Sequence, residues 1–252
     1  MDGRLLIGLT QDVRLYRSIQ KLRLGIGERI RSVEQGRSER LTGRDEEWFA
    51  GLQAIENNVK KSVEAFAKQH PLYAEWLIHV RGIGPLNCAQ LMGEIASVKG
   101  HNGQPGIGAF DTVSSLWKFS GLVPGQKPVK GEKLSYNSRL KTIALEHVGS
   151  SFIRSNSPYR RIYDDKKAYY QANRTDWPKL RIHYAARRAM VKVFLSHFWE
   201  QWRALEGYET RALYVIEHLG HTHEYRWPEF VGDGLYDDED FDDTPMTADE
   251  VE

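Results

Sequence analysis

Cysteine is all but missing from this chain of 252 residues. The single thiol, Cys88, excludes an internal disulfide and any zinc site built on several cysteines, and it fits a reducing compartment. No stretch approaches the roughly 18 consecutive apolar residues of a membrane-crossing helix. The opening MDGRLLIGLTQDVRLYRSIQ is charged too early for a signal peptide. A soluble, cytoplasmic protein without contact to membranes is expected. There is no P-loop, no G-x-G-x-x-G and no G-x-S-x-G, so nothing predicts a nucleotide or other cofactor. Aromatic residues are not scarce: seven tryptophans support a real core, and the length suits one medium domain with appendages or two small ones.

Net charge is also nearly absent, at +1, but this hides an asymmetry. From Glu229 to Glu252 there are 11 acidic residues and no lysine or arginine. Taking those from the 34 leaves 23 acidic against 35 basic residues in positions 1–228, a balance of +12. A basic body suggests a polyanionic partner. Residues 229–252 read as a disordered acidic tail, which either solubilises the chain or competes with nucleic acid for the basic face.

The apolar spacing is that of helices. Leu15, Ile19, Leu22, Ile26, Ile30 and Val33 recur at steps of four and three, predicting one stripe on a long helix. After a polar loop at 34–46, Phe49, Leu52, Ile55, Val59, Val63 and Phe66 predict a second helix that ends at His70-Pro71. Residues 1–70 thus form an expected helical hairpin or coiled-coil arm, which would either pack within the chain or make a homo-oligomer. Residues 73–81 read as a short helix, and Pro85 suits the first turn of another. The segment 99–108 is a loop. DTVSSLWKFS is a helix capped by Asp111 and stopped at Gly121, and 122–135 is extended or hairpin-like. Asn137 or Ser138 would cap the next helix, Ser157-Pro158 opens another, and a last long one runs from about Lys179 to Leu205. The fold class is mainly α.

Gly-Ile-Gly occurs three times, at 25–27, 82–84 and 106–108. The first lies on a helix stripe and the third in a loop. Only Gly82-Ile83-Gly84 stands between two expected helices, which is the helix-hairpin-helix pattern. A turn without Cβ atoms lets backbone approach a phosphate, and the amides of the helix starting at Pro85 would hold it. Such contacts read the nucleic-acid backbone rather than the bases. Ile83 would be the buried anchor. The same residues also describe a plain tight turn. From Arg154 to Arg203 there are 12 basic and 4 acidic residues, interleaved with Tyr159, Tyr163, Tyr169, Tyr170 and Tyr184. That is the composition of a surface that touches phosphates and bases.

The segments VRGIGPLNCAQLMGEI (80–95), FDTVSSLWKFSGLVPG (110–125), KLSYNSRLKTIALEHV (133–148) and SPYRRIYDDKKAYY (157–170) come in a recognisable order. Over roughly residues 46–205 the chain resembles the C-terminal transposase domain of the IS-one-ten group of insertion-sequence transposases, whose recombination is guided by a bridge RNA. The resemblance implies DNA, guide-RNA or RNA–DNA hybrid binding in transposition or recombination. It also implies a nucleophilic serine shortly after G-L-x-P. Here that stretch reads GQKPVKGEK; Ser135 and Ser138 lie further on, and the nucleophile is carried to neither. The family's RuvC-like domain with its acidic tetrad has no counterpart in the helical first seventy residues.

Three readings follow. The first is a DNA-binding protein of transposase type, not catalytic alone, with a helix-hairpin-helix domain over 71–228. Gly82, Ile83, Gly84 and Pro85 would hold a phosphate; Lys118, Lys127, Lys130, Lys133, Arg139 and Lys141 would line the duplex, and Arg187 and Arg188 would extend the contact. The second is a serine-dependent recombinase using Ser135, completed by a RuvC-like partner chain. The third is a dimeric adaptor with a basic face. His218, His221 and His223 have a spacing that could ligate a metal, but His218 reads better as a helix cap and no metal is expected. Asp164 and Asp165 point about 100° apart on a helix, as ordinary ion-pair residues.

Overall fold

The computed structural model describes residues 3–39, 44–126, 128–210 and Phe230. Among these are eight α-helices and no strand, so the protein is mainly α. The chain gathers into two compact units. One comprises residues up to Ala74 together with Gly84–Ala109; the other comprises Glu75–Ile83 together with the described residues from Phe110 onward. The expected hairpin arm is therefore grouped with the helix that begins at Pro85, rather than standing apart from it.

In the first unit, α1 (Gly3–Glu34), α2 (Asp45–Gln69) and α3 (Pro85–Ala96) pack pairwise. Helix α1 runs without interruption through Gly25-Ile26-Gly27. Its packed face follows the expected stripe only in part: Ile19 is buried and Ile26, Ile30 and Val33 are half-buried. Leu9, Val13, Tyr16 and Ile19 are buried, while Leu15 and Leu22 stand 49% and 60% exposed. Continued at helical spacing, the packed face reaches Gln20 and Arg23, about a quarter turn from the leucines. Gln20 and Arg23 both donate to Glu56 of α2, at 3.3 and 2.5 Å. Polar residues thus carry the middle of the α1–α2 contact, which is why apolar periodicity wrongly included Leu15 and Leu22 in the packed face. On α2 Ile55 is likewise exposed, next to buried Glu56. Helix α3 is buried from Cys88 to Ala96. Thr10 donates to the Gly93 carbonyl at 2.9 Å, and Val13 passes 3.0 Å from where a Cβ on Gly93 would stand.

The second unit is built around α8 (Lys179–Leu205). Helices α4 (Val113–Phe119), α5 (Ser138–Thr142), α6 (Ser150–Arg154) and α7 (Arg160–Asn173) precede it, with a π-helical stretch, Ile143–Gly149, joining α5 to α6. Phe152 stacks on Tyr159, and Phe194 meets both edge-on with ring centres 5.0 and 5.4 Å away. Phe198, Trp202 and Trp76 extend this core. Phe230, from the segment read as tail, is buried with its ring centre 4.4 Å from that of Tyr159. The remainder of 229–252 lies outside the described residues. Trp199 Nε1 and Arg203 Nη1 both donate to the Phe110 carbonyl, at 2.7 and 2.9 Å.

Three local expectations change. Residues 73–81 form no α-helix: a π-helical turn, Leu72–Trp76, runs into a 3₁₀ turn, Leu77–His79. Thr112, not Asp111, caps α4, accepting from the Ser115 amide. The described part of 122–135 pairs with nothing as a strand; it is turns, as two prolines and two glycines dictate. The caps at Asn137, the Pro85 start and the span of α8 are as expected. No helix among the described residues is long and apolar enough to cross a membrane.

Gly93→Ala is expected to cost about 1–3 kcal/mol by overpacking against Val13. Gly51→Ala on α2, where a Cβ meets nothing within 4 Å, should instead gain up to about 1 kcal/mol. Urea denaturation of the two variants checks the contrast.

Candidate nucleic-acid interface

The turn at 82–85 has the expected local features. Ile83 is buried, Gly84 is the N-cap of α3 with no side-chain cap, and Pro85 is the first helical residue. The Leu86 and Asn87 amides therefore have no intrahelical acceptor. Gly84 has open space where a Cβ would stand. Gly82 is different. Its φ is +93°, and a Cβ there would strike Ser155 Oγ and come within 3.0 Å of Phe152 Cδ1. This glycine is demanded by close packing on α6, so its presence needs no phosphate to explain it.

The expected duplex-lining cations do not share one environment. Lys118, Lys130, Lys133 and Arg139 are exposed at the end of α4, in the following loop and in the first turn of α5. Lys127 lies outside the described residues. Arg187 is only 4% exposed; it donates to Glu146 at 2.5 Å and to Ser150 Oγ at 3.1 Å, and its guanidinium covers the Tyr184 ring. It joins α8 to the π-helical stretch and is committed to that role.

Lys141 and Arg188, in contrast, are brought together, and Lys192 joins them. The local chain dictates this. Asn137 caps α5 through its side chain, while its own amide donates to the Phe119 carbonyl at 2.7 Å, tying α5 to the end of α4. Gly121, with φ +68°, ends α4 where a Cβ would come within 2.6 Å of Tyr136 and 3.1 Å of Lys141. Tyr136 and Lys141 thus close over the α4 terminus, with Lys141 Nζ 4.6 Å from the Tyr136 ring centre. On α8, Lys192 Nζ sits 4.2 Å from the Trp117 ring centre, and Trp117 Nε1 donates to the Lys192 carbonyl at 3.0 Å. Burial, and then the Arg188 charge, depresses the pKa of both lysines. Among the described residues none of the three cations makes an ion pair. Sequence reasoning missed Lys192, Trp117 and Tyr136. The available signal was Arg188 and Lys192 at i and i+4, a like-charge pair that weakens a helix.

A second run of cations lies on α7 and α8. Lys167 sits over Tyr163, and Arg174 and Arg181 over Trp177, the latter at 4.0 Å. Tyr163 is buried, whereas Trp177, in the loop between α7 and α8, is half-buried, and a partly open ring that holds cations is chemically suited to phosphates and bases together.

Other chemistry has less support. Burial pushes the Cys88 thiol well above its ordinary pKa, leaving it without thiolate character. Asp164 pairs with Arg160 at 3.1 Å, as an exposed i, i+4 ion pair. Ser135 and Ser138 are exposed. Among the described residues no three His, Cys, Asp or Glu side chains converge as a metal site; His218, His221 and His223 lie outside them.

No family model, curated protein or solved structure matches this chain.

Lys192→Met should stabilise the fold near neutral pH, because it removes a charge held beside Arg188. A lysine whose folded pKa is lowered makes stability rise with pH between that value and the ordinary 10.5. The advantage of the variant over the parent should therefore shrink as pH rises through this window. Denaturation of both proteins at neutral and alkaline pH measures it.

Proposed function

We propose that this chain is a nucleic-acid-binding protein of transposase type, gripping the phosphate backbone of DNA, a guide RNA or their hybrid during transposition or recombination. The observation that supports this best is the cluster of Lys141, Arg188 and Lys192, three cations with no carboxylate partner among the described residues. Charges left uncompensated in a partly desolvated place suit an external polyanion. Trp177, half-buried in the loop between α7 and α8 and flanked by Arg174 and Arg181, offers a stacking surface that a nucleic acid can use. A helix-hairpin-helix role for Gly82–Pro85 would use the Leu86 and Asn87 amides and the open space at Gly84. The transposase character is carried by the segments around Gly-Ile-Gly-Pro and G-L-x-P. Cutting a strand would need acidic residues from a RuvC-like partner chain.

Binding of a labelled oligonucleotide should depend steeply on salt. With about four phosphates neutralised, affinity falls about a hundredfold between about 50 and 200 mM salt. Binding indifferent to salt, or none at low salt, overturns the reading.

A dimeric role for the first unit is favoured by one observation, the outward Leu15, Leu22 and Ile55. Light scattering should then report a dimer that Leu15→Glu with Leu22→Glu converts to monomer; a monomeric parent rejects this role.

A further inference from the structure

Within the second unit, Lys141 of α5 and Arg188 and Lys192 of α8, the last two one helical turn apart, stand beside aromatic rings packed at the end of α4. Lys141 rests on Tyr136 and Lys192 on Trp117, with ammonium-to-ring-centre distances of 4.6 and 4.2 Å. Arg188 acts electrostatically on both lysines, and also on Tyr170 of α7. Its Nε is buried and, among the described residues, has no acceptor. Glu146, on the segment that follows α5, is engaged by Arg187. The aromatic faces steady the ammonium groups without neutralising them.

We propose that Lys141, Arg188 and Lys192 form a seat for one phosphate group, with Trp117 and Tyr136 fixing the two lysines in place. A tetrahedral phosphate offers oxygens in several directions, so the arginine and the two lysines can each take one. Arginine contributes directional N–H groups and lysine compact charge. Arrival of the anion also relieves the repulsion among the cations, so binding is coupled to stability. The seat rests on the nucleic-acid reading above for the source of its phosphate, either a backbone phosphodiester or a phosphorylated strand end.

The test uses the full chain and three variants: Lys192→Met, Arg188→Gln and, as a control of equal charge change, Lys61→Met on α2. Inorganic phosphate should raise the melting temperature of the parent and of Lys61→Met above that in chloride at equal ionic strength. Lys192→Met and Arg188→Gln should lose most of that rise. For an oligonucleotide, both site variants should bind about tenfold more weakly, with the slope of log affinity against log salt smaller by about one. Comparing strands with and without a 5′-phosphate separates the sources. A preference for the phosphorylated end that the site variants abolish identifies the end, and equal binding of both strands identifies the backbone. If parent and site variants respond alike to phosphate and share one salt slope, the seat is refuted, even where the parent binds nucleic acid. If phosphate stabilises the parent through these residues while no oligonucleotide binds, the seat stands and the nucleic-acid reading falls. Lys141→Gln, at the more open position, repeats the test should Arg188→Gln fail to fold.

Discussion

The closeness with which the π-helical stretch Ile143–Gly149 lies on α8 governs the second unit. At Gly149 there is no side chain, and Val191 and Arg187 pass 3.0 and 3.1 Å from where a Cβ would be. Arg187 is drawn through this contact to Glu146 and Ser150. Neighbouring residues on α8 therefore have opposite fates. Arg187 is spent on the internal joint, whereas Arg188, one step round the helix, adds its charge to the field at Lys141 and Lys192. A joint with more room between its helices would separate those charges.

Among the described residues no carboxylate pairs with Lys141, Arg188 or Lys192; their like charges oppose folding, and the core offsets them. The rings of Phe152, Tyr159, Phe194 and Phe198 supply that stabilisation, since aromatic side chains bury the largest apolar areas. Trp117 and Tyr136 do a smaller, directed part of the same work, each lending a π-face to one lysine. Proteins that break a local rule of stability tend to do so where they bind or react.

Much of the helical plan was legible in the sequence, because caps and breakers act locally. Asn137, Pro85, Gly121 and the His70-Pro71 stop mark real boundaries. The packed face of α1 was legible only in part, at Ile19, Ile26 and Ile30 but not at Leu15 and Leu22. Its contact with α2 runs through Gln20, Arg23 and Glu56, so polar residues hold the place where apolar ones were sought. The three copies of Gly-Ile-Gly prove to be three structures: a straight helix, a turn that fits under Phe152, and a 3₁₀ turn at 106–109. Of the cations picked out from the sequence, composition identified the right region. It could not distinguish Arg187 from Arg188, because that distinction depends on which side of α8 meets Gly149. Lys192 was hidden for the same reason.

The clasp at the Phe110 carbonyl bears on how the protein is made. Trp199 and Arg203 reach back to it across 89 and 93 positions of the chain, and Arg203 also holds the Glu209 carbonyl. A ribosome delivers Phe110 long before either donor exists. Helices α4 to α7 can form as they emerge, but the unit cannot lock until the end of α8 has left the exit tunnel. Its core is therefore completed late, with Phe194, Phe198 and Trp202 arriving together on the final helix. During that interval the half-built aromatic cluster is open to the cell, which makes synthesis of α8 the moment of greatest exposure to aggregation.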